Sequence, residues 1–265
     1  MAAPYPQVVL FGDSLLQQSA DVRDGFSFQA ALQTHCIRRL DVVNRGFSGW
    51  TTANAVRYLD RIFPQPNESS PQLKYLVILL GANDAVKPLA TTTQHVPMAE
   101  YKRNLATILS HPGIRAHRPK ILLVTPPPIN EMELTRLDTQ GEHDECTRSF
   151  ATSSRYSEAA REVAREQPGV VLIDLWQAIM DEAIAKSGPE DYQAGGPWLG
   201  SAENGKAGWL EKLLPDGLHM SGEAYRILFE QVKPYIGPEW AGLAQDDCTG
   251  YMLPSWRQLA TGGGA

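Results

Sequence analysis

Four short stretches of this sequence carry the side chains that acyl transfer needs. Ser14 closes "VVLFGDS", Asn83 lies in "LGANDA", and Asp216 and His219 stand three apart in "PDGLHM". A serine hydroxyl is a poor nucleophile until a base removes its proton. A histidine does this near neutral pH when a carboxylate fixes its tautomer and stabilises the imidazolium. Three residues of separation in a loop let Asp216 reach the ring of His219. An asparagine amide is a neutral donor of the kind an oxyanion requires. The fourth stretch, "NRGFSGWTT", holds Gly46 and Gly49, either of which offers a backbone N–H unobstructed by a side chain. Taken singly, each stretch also reads as a turn or a helix cap, and one of the glycines as a positive-φ turn residue.

The other polar candidates read as structural. Adjacent residues at a strand end diverge, so Asp13 is expected to bond loop amides rather than serve His219, and Asp84 reads the same way. Asn44 and Arg45 read as a polar turn. "EHDEC", Glu142 to Cys146, contains metal-ligand types. Five consecutive loop residues rarely converge on one ion, so a solvated acidic loop is expected and no metal. His35, His95, His111 and His117 have no motif around them and read as surface or capping residues. Trp50, Trp198 and Trp209 fit a substrate pocket and core or lid packing equally well.

The elements that must position these groups follow from hydrophobic runs. Val8–Phe11, Tyr75–Leu80, Ile121–Val124 and Val170–Ile173 are short and continuously apolar, with Leu40–Val43 a weaker run, as in a parallel sheet covered on both faces. Between them, Ala53, Val56, Leu59 and Phe63 have helical spacing, as do Tyr101, Leu105, Ile108 and Leu109, and Tyr225, Leu228, Phe229 and Val232. Ser221 reads as the N-cap of the last helix, with Glu223 in its first turn. Strands alternating with helices predict βαβ units and an α/β fold, a three-layer α/β/α sandwich. Ser14 and Asn83 then fall after strands, at the sheet edge where ligands collect. Residues 126–150 and 187–213 read as long polar or Gly-rich loops. The tail from 236 is irregular and ends in a flexible "GGGA"; it would cover the sheet or join subunits, which leaves a homo-oligomer open.

Bulk properties narrow the function classes. The 265 residues suit one large α/β domain over 1–265, with a core of about 8–235 and the tail 236–265. A net charge of -6 argues against nucleic acid and against an anionic membrane surface. No apolar run approaches the roughly 20 residues of a membrane span. "MAAPYPQ" has no basic region followed by an apolar core, and Cys36, Cys146 and Cys248 have no CxxC spacing, so a reducing cytoplasmic setting is expected.

Together and in this order, "FGDS", "NRGFSGWTT", "LGAND" and "DGLH" resemble the four blocks of the SGNH, or GDSL, hydrolase family. The resemblance spans roughly residues 8–235. Within the family, "FGDSL", "NRGFSG", "LGAND" and "PPPINE" look most like isoamyl-acetate-hydrolysing esterases. It implies a flavodoxin-like five-stranded parallel sheet. It also implies Ser14 as nucleophile, His219 as general base and then acid, and Asp216 as its orienting acid. The oxyanion donors implied are the N–H of Ser14, the N–H of Gly49 and the amide of Asn83, with Gly49 preferred to Gly46 because "SGWTT" matches the block better. No cofactor is implied. The expected activity is hydrolysis of small, short-chain acyl esters through an acyl-enzyme. Lysophospholipase, thioesterase or carbohydrate deacetylase activity keeps the fold and changes the substrate. A catalytically inactive ligand-binding protein is the alternative of another class, disfavoured by the four intact blocks. No G-x-S-x-G elbow surrounds any serine, which disfavours the α/β-hydrolase layout.

Overall fold

The continuous apolar runs become five strands in the computed structural model, which describes residues 4–141, 143–244 and 247–260. They are β1 Gln7–Gly12, β2 Asp41–Gly46, β3 Leu73–Leu79, β4 Lys120–Val124 and β5 Val170–Ile173. All pair in parallel in the order β2-β1-β3-β4-β5, the flavodoxin-like order. The helices are α1 Ser14–Gln17, α2 Phe28–His35, α3 Thr52–Ile62, α4 Met98–Ser110, α5 Pro112–Arg115 and α6 Glu131–Gln140. They continue with α7 Phe150–Glu166, α8 Leu175–Lys186, α9 Leu210–Leu213, α10 Gly222–Val232 and α11 Trp256–Ala260.

Because strand side chains alternate between faces, each apolar strand feeds two cores. Val8, Leu10, Val77, Leu79, Leu122 and Val124 face α1, α2, α8 and α10, through Leu16, Leu32, Ile179 and Leu228. Val9, Phe11, Leu76, Ile78, Ile121 and Leu123 face α3, α4 and α7, through Leu59, Leu105, Ile108 and Val163. Both faces are dry, which is why the runs are continuous rather than alternating. Truncating a side chain buried like Leu76 to alanine would cost about 2–5 kcal/mol.

The structure departs from the sequence reading in three places, the first being that 187–213 is not loop throughout, since its last four residues form α9 with Leu210 and Leu213 buried. Asn44 and Arg45 are not a polar turn; they extend β2, because Gly12 pairs with Gly46 and carries the ladder to the end of β1. Asn44 Nδ2 donates to the Leu16 carbonyl at 2.8 Å and to Gln29 Oε1 at 2.9 Å, tying β2 to the segment after Ser14. Arg45 donates to the Ile62 carbonyl. Residues 126–150 are not one loop either. Asn130 caps α6 by accepting from the Glu133 N–H, and Ser149 caps α7 by accepting from the Thr152 N–H. Ser221 does cap α10, accepting from the Ala224 N–H at 3.3 Å.

The tail folds back near α2. Trp240 is buried beside His35, and Arg39 donates to the Thr249 carbonyl at 2.9 Å. The terminal "GGGA" and Glu142 lie outside the described residues. Among the described residues, no helix is long and apolar enough to cross a membrane.

Candidate active site

The sheet order changes direction between β1 and β3, and the crevice at their carboxyl ends is where an open α/β sheet places its ligands. β1 ends at Gly12, where a side chain would meet the Leu79 carbonyl of β3 at 2.3 Å, so only glycine fits. Asp13 then caps α1 through the Leu15 N–H at 2.9 Å. This turns the chain sharply and leaves Ser14 as the first residue of the helix, 6% exposed.

His219 reaches Ser14 from 205 residues away in sequence, its Nε2 3.0 Å from Ser14 Oγ. On the other side of the ring, Nδ1 is 2.7 Å from Asp216 Oδ2. An ionised carboxylate only accepts, so Nδ1 carries the ring proton and Nε2 is left to accept from Ser14. Asp216 is held in turn, its Oδ1 accepting from the backbone N–H of His219 at 2.7 Å and of Leu218 at 3.0 Å. Burial alone would raise the Asp216 pKa. The hydrogen bonds from the His219 ring and the two amides outweigh it and hold the carboxyl at about 2. The turn is braced by Gly217, whose carbonyl accepts from the Asn130 N–H at 2.9 Å and whose φ of +82° suits glycine.

Asn83 follows β3 and is 5% exposed. Its Nδ2 donates to the Trp50 carbonyl at 2.9 Å, and its Oδ1 accepts from Arg148 Nη2 at 3.1 Å. The β3 and β2 loops therefore meet at one edge of the crevice. The two glycines of the β2 loop part company. Gly46 spends its N–H on Asn44 Oδ1 at 2.8 Å, and a side chain there would sit 2.1 Å from the Gln17 nitrogen. Gly49 takes φ +78°, and among the described residues its N–H meets no acceptor. The Ser14 N–H opens α1 and has no intrahelical acceptor.

Two buried carboxylates lie under this crevice, and both bond amides as the sequence suggests. Asp13 is fully buried; its Oδ2 has no partner among the described residues, and burial pushes its pKa up to about 7. Asp84 binds the Thr52 N–H at 3.0 Å and the Thr52 hydroxyl, and burial pushes it up to about 6. These bonds seat α3 beside the β3 loop.

The remaining candidates disperse. His143 bonds Thr91, Glu145 pairs with Lys87, and Cys146 is buried near the Glu131 carbonyl. His35 bonds the Ile236 carbonyl, His95 the Val86 carbonyl, His111 Asp60, and His117 the Leu73 N–H. Trp50 stacks on Phe47 at 4.2 Å, Trp198 on Tyr192 at 5.9 Å, and Trp209 donates to Glu223. Arg148 is the residue at the site that sequence reasoning passed over. It follows "EHDEC", where a charge reads as solvated, yet it is 8% exposed.

The chain is similar to known ester hydrolases in sequence and in fold. The model of the GDSL-like lipase/acylhydrolase family matches residues 10–227. A GDSL esterase/lipase of Arabidopsis thaliana is 31% identical over 242 residues, covering 89% of this chain and 88% of that protein. The human isoamyl acetate-hydrolyzing esterase 1 homolog is 28% identical over 264 residues, covering 97% and 89%. Among solved structures, the acetyl xylan esterase AlAXEase superposes with a TM-score of 0.60 at 18% identity, over 87% of this chain and 99% of that one. A lipase/acylhydrolase from Enterococcus faecalis gives 0.57 at 21% identity, over 88% and 96%. At these identities the superpositions establish the SGNH-type fold. The family match spans every segment that delivers a residue to the crevice, and the chain belongs to the GDSL-like lipase/acylhydrolase family, as a carboxylic-ester hydrolase.

Proposed function

We propose that the chain is a serine esterase of small, short-chain acyl esters of the acetate type, with Ser14, His219 and Asp216 as its triad. The observation that carries this is the continuous relay of 3.0 Å from Ser14 to His219 and 2.7 Å from His219 to Asp216. Ser14 Oγ attacks the ester carbonyl while His219 Nε2 takes its proton, and Asp216 stabilises the imidazolium. The tetrahedral oxyanion is received by the N–H groups of Ser14 and Gly49 and by Asn83 Nδ2. His219 then protonates the leaving alcohol, giving an acyl-Ser14 ester. Water, deprotonated by His219, attacks that ester and releases the acid and free Ser14.

Two features support a small acyl group. Ser14 and Asn83 are 6% and 5% exposed, which leaves little room beside the hydroxyl. The human relative's name specifies hydrolysis of isoamyl acetate. The buried thiols of Cys36 and Cys146 support action in the reducing cytoplasm. The buried contact of Trp240 with the main core supports reading the chain as one domain with its tail. A carbohydrate deacetylase is the second reading; Trp198 is 37% exposed and lines a cavity of about 550 Å³ with Trp176 and Phe150, a surface for a sugar outside the triad, since neither Ser14 nor His219 lines it. Hydrolysis of nitrophenyl esters from acetyl to long acyl chains, with Ser14→Ala as control, tests the proposal. Activity highest on short chains and abolished in the variant is expected. A maximum on long chains, or activity confined to acetylated sugars, would overturn the short-chain ester assignment.

A further inference from the structure

Arg148 makes a pattern of contacts that a solvated loop arginine would not. Its Nε donates to the Ala82 carbonyl at 3.0 Å and its Nη2 to Asn83 Oδ1 at 3.1 Å, so one fork grips two successive residues of the β3 loop. The guanidinium is itself anchored. Nη1 donates to Thr147 Oγ1 at 3.3 Å, and Thr147 donates through both its N–H and its hydroxyl to Asp138 Oδ2, at 2.7 and 2.8 Å. The Thr147 carbonyl accepts from the Lys87 N–H at 2.7 Å, which closes the segment onto the far side of the same loop. Burial lowers the Arg148 pKa, and the carboxylates of Asp138 and Asp13 oppose that fall.

An asparagine amide can sit either way round, because its oxygen and nitrogen are nearly equal in size. Only one orientation is useful at an oxyanion site. With Nδ2 toward the crevice, Asn83 donates; reversed, it would present a carbonyl lone pair to a developing negative charge. Arginine has no acceptor, so a guanidinium against one end of the amide forces that end to be oxygen. The Trp50 carbonyl at 2.9 Å forces the other end to be nitrogen. The positive charge on Oδ1 also polarises the amide and strengthens Nδ2–H as a donor.

We propose that Arg148 is a positioning residue for ester hydrolysis, which locks the Asn83 amide in its donating orientation and polarises it while touching no substrate. This rests on the reading of Asn83 as an oxyanion donor. It makes the junction of residues 147–149 with α7 part of the oxyanion machinery, although it belongs to none of the four sequence blocks. A lysine would keep the charge but not the fork, since an ammonium is a point donor that cannot hold both carbonyls in one plane.

A double-mutant cycle tests the assignment, with kcat and KM measured on nitrophenyl acetate for Asn83→Ala, Arg148→Met and the pair. Arg148→Met is expected to lower kcat about 10- to 100-fold with KM within about twofold of wild type, the pattern of a lost transition-state interaction. In the Asn83→Ala background the same substitution is expected to change kcat by less than about threefold, because the group it orients is gone. Arg148→Lys is expected to retain more kcat than Arg148→Met and to show the same dependence on Asn83. If Arg148→Met does not fold by circular dichroism, the cycle is run with Arg148→Lys, and the same non-additivity is required. Additive losses in the two backgrounds would overturn the proposal and leave Arg148 a packing residue. So would a wild-type kcat in a folded Arg148→Met alongside an impaired Asn83→Ala. A wild-type kcat for Asn83→Ala itself would instead strike at the oxyanion reading beneath it.

Discussion

Replacing Asp216 by asparagine separates the catalytic role proposed for this carboxylate from its structural one. Its Oδ2 meets His219 Nδ1 at 2.7 Å while its Oδ1 accepts two backbone N–H groups, so the two oxygens do different work. In Asp216→Asn the backbone amides will hold the one remaining oxygen and point the new NH2 group at Nδ1. That nitrogen must then accept, the ring proton moves to Nε2, and Nε2 can no longer take the proton of Ser14. A wrong-tautomer triad of this kind loses about 10⁴ in kcat, or roughly 5.5 kcal/mol. The structural cost is far smaller. The fall of the Asp216 pKa from 3.8 to about 2 corresponds to about 2.5 kcal/mol of preference for the carboxylate if fully buried. The side chain is 46% exposed, so screening reduces this to about 1 kcal/mol. The sign follows from a depressed carboxylate pKa. The stabilisation is present above pH 3.8 and is lost as pH falls through about 2, so the variant and wild type should converge in stability between pH 4 and pH 2. The assay is kcat on nitrophenyl acetate beside a urea midpoint at pH 7. A folded Asp216→Asn that keeps more than a tenth of wild-type kcat would refute the tautomer argument.

Three further outcomes are expected. Asn83→Ala should raise the barrier by about 2.7–4 kcal/mol, read as a fall in kcat, and an unchanged kcat would remove it from the site. Asp13 has a raised folded pKa of about 7, so the native state holds a proton there that the unfolded chain releases above pH 3.8. Stability from that group therefore falls as pH rises from about 4 to 7, by roughly 4 kcal/mol in full. Asp13→Asn mimics the neutral acid and should gain on wild type in urea midpoint at pH 8 relative to pH 5; a difference that does not change between the two pH values would show that Asp13 is ionised in the fold. Gly46→Ala would drive a methyl into the Gln17 backbone and should destabilise by about 3 kcal/mol. Gly49→Ala meets only the end of the Gln94 side chain, at 3.3 Å, and should cost about 1–2 kcal/mol for its positive φ. Equal melting temperatures for the two variants would contradict the contrast.

What could be read from the sequence divides along physical lines. Most of the sheet was legible because both of its faces are buried, which makes the inner strands β1, β3 and β4 near-continuous apolar runs, whereas the edge strand β2 carries Asp41, Asn44 and Arg45. The residues proposed as nucleophile, base and acid were legible because each chemistry demands one residue type, with Asp216 three residues from His219 and Ser14 just after a strand. α6 was not, since Leu134 is its one buried residue and "EMELTRLDTQ" shows no apolar stripe. Asn44 looked like a turn because its partners, Leu16 and Gln29, are distant in sequence and meet it only once β2 lies against β1. Arg148 was invisible for the same reason. Its value comes from Asn83, 65 residues away, and a lone arginine after an acidic run carries no local sign of burial.

The central claim is that Ser14 is the atom that attacks. The most direct measurement treats the protein with a nitrophenyl phosphonate ester, which traps an active-site nucleophile covalently, and maps the adduct by peptide mass spectrometry. One phosphonyl group on the peptide containing Ser14, formed with loss of esterase activity and absent in His219→Ala, is the predicted result. An adduct on any other residue, or stoichiometric phosphonylation of the Ser14→Ala protein, would contradict it.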